Sequence, residues 1–356
     1  MYLSFSGGRT IKDLDWIIAK LPELGFSHFG LATLEKPLSF SHYQSWLDHD
    51  YHGDMEYLKK QAPQKENPQV AWAQAQSAFV FAAPYLPHPE GPAFFKAARV
   101  ALYAQGADYH FWFKKKLAEI ITTLQDQFPD DTFLALTDSA PLMERDLAYR
   151  AGLGWIGKNT CLIHPKEGSL FLIGEILTSL KVSVTPASLP DFCGTCQRCV
   201  EHCPTQAISQ ARVLDARKCI SYWTIESRKI PPEELRAKFG DWLFGCDVCQ
   251  TICPWNQKVF GKQMTLATAE APPLEALQTL QTELRWILNS SGKQIERSLK
   301  GSPLLRAGPF GLKRNALIVI ANRQIHPLRD EVQKYLSHER LGSLAQWTIH
   351  ELDHRP

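Results

Sequence analysis

The sequence has no apolar run long enough to cross a bilayer. Its longest uncharged stretch, Asn67 to Pro89, is interrupted by Gln69, Gln74, Gln76, Ser77, Pro84 and Pro87, whereas a spanning helix needs about 20 apolar residues in succession. A secretory h-region is also missing, because the opening residues MYLSFSGGRTIKDLDW place Lys12, Asp13 and Asp15 early. The expectation is a cytoplasmic protein without membrane contact. Neither sign of charge is in excess: 39 Lys and Arg against 37 Asp and Glu give a formal +2. That balance excludes a uniformly basic nucleic-acid binder but allows a local patch. With 44% hydrophobic residues and no low-complexity segment, disorder and a collagen-like fibre are excluded as well. A chain of 356 residues outgrows one hydrophobic core, so two or three domains are expected.

Cysteine is scarce except in one segment. Of nine, eight lie between Cys193 and Cys253, and only Cys161 stands apart. Grouped thiols in a reducing compartment serve metal or redox chemistry, and an odd total argues against a full disulfide framework. Cys193-x2-Cys196-x2-Cys199-x3-Cys203-Pro204 has the spacing of a bacterial ferredoxin run for a [4Fe–4S] cluster, in which the fourth Cys ligates the other cluster. Cys219 and Cys246-x2-Cys249-x3-Cys253-Pro254 complete a second set. By the crossing rule, one cluster takes Cys193, Cys196, Cys199 and Cys253, and the other takes Cys203, Cys219, Cys246 and Cys249. The long gap from Cys219 to Cys246 holds an insertion with Tyr222, Trp223 and a helical Pro232 to Arg236 segment. A pair of four-cysteine zinc sites is the alternative, although these usually show separated Cys-x2-Cys pairs. Cys161 reads as a small buried hydrophobe.

The expected fold class is α+β. Helices are expected over Ile11 to Leu24 and over Asp108 to Phe128, where Phe113, Leu117, Ile120, Ile121, Leu124 and Phe128 recur at helical intervals. Strands are expected at His28 to Ala32, Ala78 to Tyr85, Thr132 to Leu136 and Leu170 to Leu177. Short paired helices should follow the cysteines, around Pro273 to Ser291, Gly311 to Asn322 and Leu328 to Leu336. Between Lys300 and Arg323 five basic residues and no acidic one occur, which suits either a solvated face or a phosphate contact.

Gly152-Leu153-Gly154-Trp155-Ile156-Gly157 fits G-x-G-x-x-G, but a helix precedes it and an extended segment follows, the reverse of a dinucleotide fingerprint. The glycines therefore predict a tight connection. In Asp108-Tyr109-His110 the third position beyond the histidine is Phe113, so the D-x-H-x-x-G signature of a histidine-ligated corrinoid is missing. Asp138 stands where a strand ends and a helix begins, where it serves either as a catalytic group or, with Ser139, as a cap ahead of Pro141.

Thr137-Asp138-Ser139-Ala140-Pro141, Ala151 to Asn159, Cys219-Ile220-Ser221-Tyr222 and the eight cysteines with their odd gap together resemble the epoxyqueuosine reductases, over nearly the whole chain. That resemblance implies an N-terminal cobalamin-binding α+β domain (1–185), a ferredoxin-like module with two [4Fe–4S] clusters (186–258) and a C-terminal helical domain similar to HEAT repeats (259–356). It implies reduction of an epoxide on the wobble base of tRNA to queuosine. Asp138 takes the place of the proton donor, and Asp138, Asn159, Leu162, Ile173, Ser221 and Asp247 fall on corrinoid contacts. Arg306, Lys313, Arg314 and Asn315 would meet the anticodon stem-loop. Lys65 stands where the family usually shows arginine. The expected partners are tRNA and an external electron donor, and the expected state is a monomer. Two other classes remain open on the residues: a corrinoid reductive dehalogenase acting on a small molecule, and a plain ferredoxin-type electron carrier.

Overall fold

The computed structural model describes residues 3–5, 14–85, 93–184, 189–261 and 274–354. An antiparallel sheet of four strands runs in the order His28–Thr33, Ser77–Pro84, Phe171–Thr178, Phe133–Thr137. Ser77–Pro84 lies inside the sheet and is buried from Ser77 to Ala83, so its SAFVFAAP run shows no alternation. Both faces are covered, which is why none is needed. On one face Phe79, Phe81 and Ile176 pack with Ile17 and Leu21 of helix Asp15–Leu24 and with Leu117, Ile120 and Leu124 of helix Tyr109–Gln127. On the other, Ala78, Val80 and Leu177 pack with Leu147 and Ala148 of helix Glu144–Arg150. The fold class is α+β, and the four expected strands and both expected helices are present. The first helix begins at Asp15; residues 11–13 of its expected span lie outside the described residues.

Two glycine features set the spacing of these layers. A Cβ on Gly174 would stand 2.2 Å from the Phe113 ring, so only glycine lets the long helix sit this close to the sheet. Gly152, at φ +80°, turns the chain out of helix Glu144–Arg150, and a Cβ on Gly154 would meet the Ile163 carbonyl at 2.3 Å. The chain then enters a hairpin, Trp155–Ile156 paired with Leu162–Ile163. These glycines thus make a tight connection.

The helical part contains Leu274–Asn289, Gly308–Asn322 and Gly342–His354. Gly308–Asn322 is its central rod, buried from Gly311 to Ala321 except at Lys313. The insertion between Cys219 and Cys246 packs here: Ile220, Trp223, Phe239, Leu243 and Phe244 share a core with Leu284, Leu317, Ile320 and Leu344. Strand Trp242–Phe244 also pairs, parallel, with Arg99–Val100. This core crosses the boundary expected at 258, and the one expected at 185 falls outside the described residues.

Candidate active site and cysteine groups

Asp138 directly follows the edge strand Phe133–Thr137. Tyr109 donates its hydroxyl to Oδ2 of Asp138, and Nε2 of His110 lies 2.6 Å from Oδ1. On its other side the His110 ring meets Oδ1 of Asp108 at 2.6 Å. Hydrogen bonding to Asp108 and then to Asp138 raises the His110 pKa to about 9, against its partial desolvation. The imidazolium is therefore the neutral-pH form. Burial and the Asp138 charge hold the Tyr109 phenol well above its ordinary range, so it remains a donor. The capping reading of Asp138 is corrected here. Helix Glu144–Arg150 starts six residues later, with Met143 at its N-cap and no side-chain cap; Asp138 faces Tyr109 and His110 instead.

Acidic groups that carry no sequence signature lie near Asp138. Glu175, opposite Leu136 in the sheet register, is fully buried, and neither carboxylate oxygen has a hydrogen-bond partner. Burial, then the charges of Glu144 and Asp138, pushes its pKa far up, so it stays protonated. Burial and Asp138 raise Glu144 to about 7. Lys65, its pKa lowered by burial, donates from Nζ to the Leu142 carbonyl at 2.8 Å.

The cysteines form two groups. Cys193, Cys196, Cys199 and Cys253 line one cavity together with Ile163 and Trp255, and Trp155 donates from Nε1 to the Cys193 sulfur at 3.4 Å. Burial, then the neighbouring Cys253, Cys193 and Cys196, raises Cys199 to about 11. Cys203, Cys219, Cys246 and Cys249 make the second group, where burial and then Cys219, Asp247 and Cys203 raise the Cys246 thiol. Cys161 belongs beside it, its thiol in contact with that of Cys249, a proximity that its isolated place in the chain hides. Burial and neighbouring thiols raise Cys199, Cys246 and Cys253, and a cation such as the iron of a cluster would offset that.

Of the expected cofactor contacts, Asn159 donates from Nδ2 to the Cys249 carbonyl at 3.1 Å. Asp247 is buried, accepts from the Leu102 amide at 2.7 Å, and has its carboxyl raised to about 6 by desolvation. Leu162 is buried in the second core of the sheet and Ile173 packs at its margin, while Ser221 lies on helix Ile220–Ile225. Burial, then the charges of Asp247 and Asp138, raises the Tyr103 phenol above its ordinary range.

The expected tRNA contacts separate. Arg306 is exposed, grips Glu226 with two hydrogen bonds of 2.9 and 2.8 Å and stacks over Tyr57. Lys313 is turned inward, its Nζ 2.9 Å from the Tyr335 hydroxyl. Arg314 and Asn315 are corrected: they are 0% and 1% exposed and cannot reach a tRNA. Arg314 donates to the carbonyls of Ser227, Lys229 and Trp223, and Asn315 to those of Thr224 and Leu243. Both residues tie the insertion to the central helix. Three further residues on this surface are exposed and carry no signal in the linear sequence. Arg228 donates to the Arg306 carbonyl and Arg340 to that of Arg228, a basic ridge gathered from distant parts of the chain. Phe111, next to His110, is 72% exposed.

An acid held by an imidazolium, in a chain that also gathers two groups of four thiols, suits an iron–sulfur oxidoreductase. Residues 192–256 match the family described as a 4Fe-4S double cluster binding domain, and residues 65–139 match epoxyqueuosine reductase QueG, DUF1730. The chain belongs to the epoxyqueuosine reductase family. It is 39% identical to the epoxyqueuosine reductase of Cyclobacterium marinum over 252 residues, 70% of this chain and 81% of that one. It is 36% identical to that of Pseudomonas aeruginosa over 304 residues, 84% and 82% of the two chains. In fold it matches the solved epoxyqueuosine reductase of Streptococcus thermophilus with a TM-score of 0.79 at 24% identity, covering 98% of this chain and 92% of the other. A solved epoxyqueuosine reductase with an epoxyqueuosine-modified tRNA-Tyr stem loop matches at 0.78 and 23%, over 96% and 90%. Family membership sets aside the electron-carrier and dehalogenase alternatives, and the double-cluster match sets aside the zinc sites.

Proposed function

We propose that this oxidoreductase reduces epoxyqueuosine to queuosine at the tRNA wobble position, as a cytoplasmic monomer fed by an external electron donor, with Asp138 giving the proton. The contact of Asp138 with Tyr109 and His110 carries the reading. Opening an epoxide to an alkene takes two electrons and two protons and releases water. Tyr109 fixes one oxygen of Asp138, and His110 keeps a proton on the other side of a 2.6 Å contact. As the ring opens, its oxygen becomes basic enough to draw a proton through Asp138 from the His110 imidazolium, the carboxylate passing on what the imidazole releases, and solvent supplies the second proton.

One [4Fe–4S] cluster is assigned to Cys193, Cys196, Cys199 and Cys253 and the other to Cys203, Cys219, Cys246 and Cys249. The shared cavity of the first four supports the crossed pairing. Asn159, Leu162, Ile173, Ser221 and Asp247, bordered by Asp138, would hold cobalamin. Asn159 touches the backbone at Cys249, and the buried Thr137 hydroxyl lacks a partner in the protein, as suits a polar ligand. Bound there, cobalamin would supply a strongly reducing cobalt centre beside the epoxide. Arg306, with Arg228 and Arg340, would hold phosphates of the anticodon stem-loop, Lys313 lying at their margin, and Phe111 offers a ring on which an unstacked base can rest.

Anaerobic reconstitution with iron, sulfide and cobalamin, followed by mass analysis of nucleosides from epoxyqueuosine tRNA, tests this. Loss of one oxygen from the base is expected. No conversion by the fully loaded protein overturns the function, and equal conversion without cobalamin overturns the cofactor assignment.

A further inference from the structure

His28, His164 and Glu167 lie outside the site described above and have no part in it. His28 opens the edge strand His28–Thr33. His164 and Glu167 belong to the turn after Leu162–Ile163, which the backbone closes with paired His164 and Gly168 bonds. One ligand atom from each of the three side chains falls within 4.8 Å of the other two. The imidazole rings are in contact, with centroids 3.8 Å apart. Nδ1 of His28 stands 3.3 Å from a Glu167 oxygen, and the His28 and Ser27 side chains hold the Glu167 pKa down, yet that nitrogen and the second carboxylate oxygen are buried without a well-formed hydrogen bond. The one bond to the His164 ring, from the Lys166 amide to Nδ1, is long at 3.3 Å and easily exchanged.

Buried polar atoms normally find partners, and a His28 nitrogen and a Glu167 oxygen that converge with His164 without a well-formed bond need an explanation. We infer that His28, His164 and Glu167 bind a divalent transition-metal ion of the zinc type, with a water completing its shell. Two imidazole nitrogens and one carboxylate oxygen are a known donor set for zinc, at about 2.0–2.2 Å each. Ligands at those lengths stand roughly 3.4 Å apart in a tetrahedron, so the side chains must draw in by rotamer adjustment.

The ion would act as a staple. The turn it grips is already fixed to the cysteine module, because the Ser169 amide donates to Oδ1 of Asn256 at 2.6 Å, three residues beyond Cys253. Its neighbour Ile163 lines the cavity of Cys193, Cys196, Cys199 and Cys253. The metal thus joins the sheet edge to the frame of that cysteine group.

The test uses tag-free, cluster-loaded protein equilibrated anaerobically with micromolar Zn²⁺ and a weak chelator, then analysed for zinc, iron and sulfide. Native protein should hold one zinc more than His28→Ala/His164→Ala, with iron and sulfide unchanged at about eight each. Its Tm should rise with zinc concentration, and that of the variant should not. Glu167→Gln, a milder change, should weaken zinc binding at least tenfold while iron content certifies its fold. Equal zinc and equal Tm response in native protein and both variants overturn the inference.

Discussion

His110 Nε2 and Asp138 Oδ1 stand 2.6 Å apart, and the same imidazole is held from behind by Asp108. The acid at the strand end is thus backed by a second residue able to carry its proton.

Asp138→Asn and Asp138→Ala should each lower single-turnover reduction by roughly 10²–10⁴-fold, the usual scale of general acid catalysis. Because Asp138 caps no helix, neither should show the stability loss of a missing cap, and both should retain their clusters. Near-normal turnover by the Asn variant would remove Asp138 from the chemistry.

A raised histidine pKa gives stability that is complete below the ordinary value of 6.5 and disappears as pH climbs through about 9. Reduction should accordingly decline above pH 9. NMR titration of His110 should give a midpoint near 9 in the native protein and a lower one in Asp108→Asn. An unchanged midpoint would show that Asp108 does not set it.

Glu175 has a raised carboxyl pKa, so its contribution to stability is complete below the ordinary 4.5 and is lost as pH rises toward the folded value. Glu175→Gln, which keeps the shape and removes the ionisation, should gain on the native protein as pH goes from 5 to 9. Urea denaturation at several pH values measures this; parallel curves would mean that Glu175 is charged in the fold.

Arg314→Ala should destabilise the protein by on the order of 3 kcal/mol, leaving buried carbonyls without donors. Arg306→Ala should leave stability within about 1 kcal/mol, weaken tRNA binding and reduce the salt slope by about one unit. Normal stability of the Arg314 variant, or an unchanged salt slope for Arg306, is the contrary result.

Local order was plain in the sequence because it depends on spacing. Phe113, Leu117, Ile120 and Leu124 mark the long helix by their intervals, and Ser77–Pro84 shows its burial by being apolar from Ala78 onward. Asp138 could be singled out at a strand end, but its partners could not: Tyr109 lies 29 residues away in the chain, and only the sheet and helix bring the two together. Charge misled for a related reason. Lys313-Arg314-Asn315 reads as a basic surface, yet helix Gly308–Asn322 is enclosed by the insertion, and the guanidinium of Arg314 satisfies backbone carbonyls there. Arg228, Arg306 and Arg340 form the exposed ridge from three separate segments that no linear window joins.

Cys219 and Cys246 bracket a segment whose side chains complete the core of the helical domain. The redox half of this enzyme is therefore not a cassette that can be excised or exchanged like a free-standing ferredoxin. Removing the helices would strip the packing from the loop that spaces two of its thiols. Recombination that treats residues 186–258 as a portable unit should yield proteins that lose one metal centre before the other, with the group containing Cys219 and Cys246 failing first.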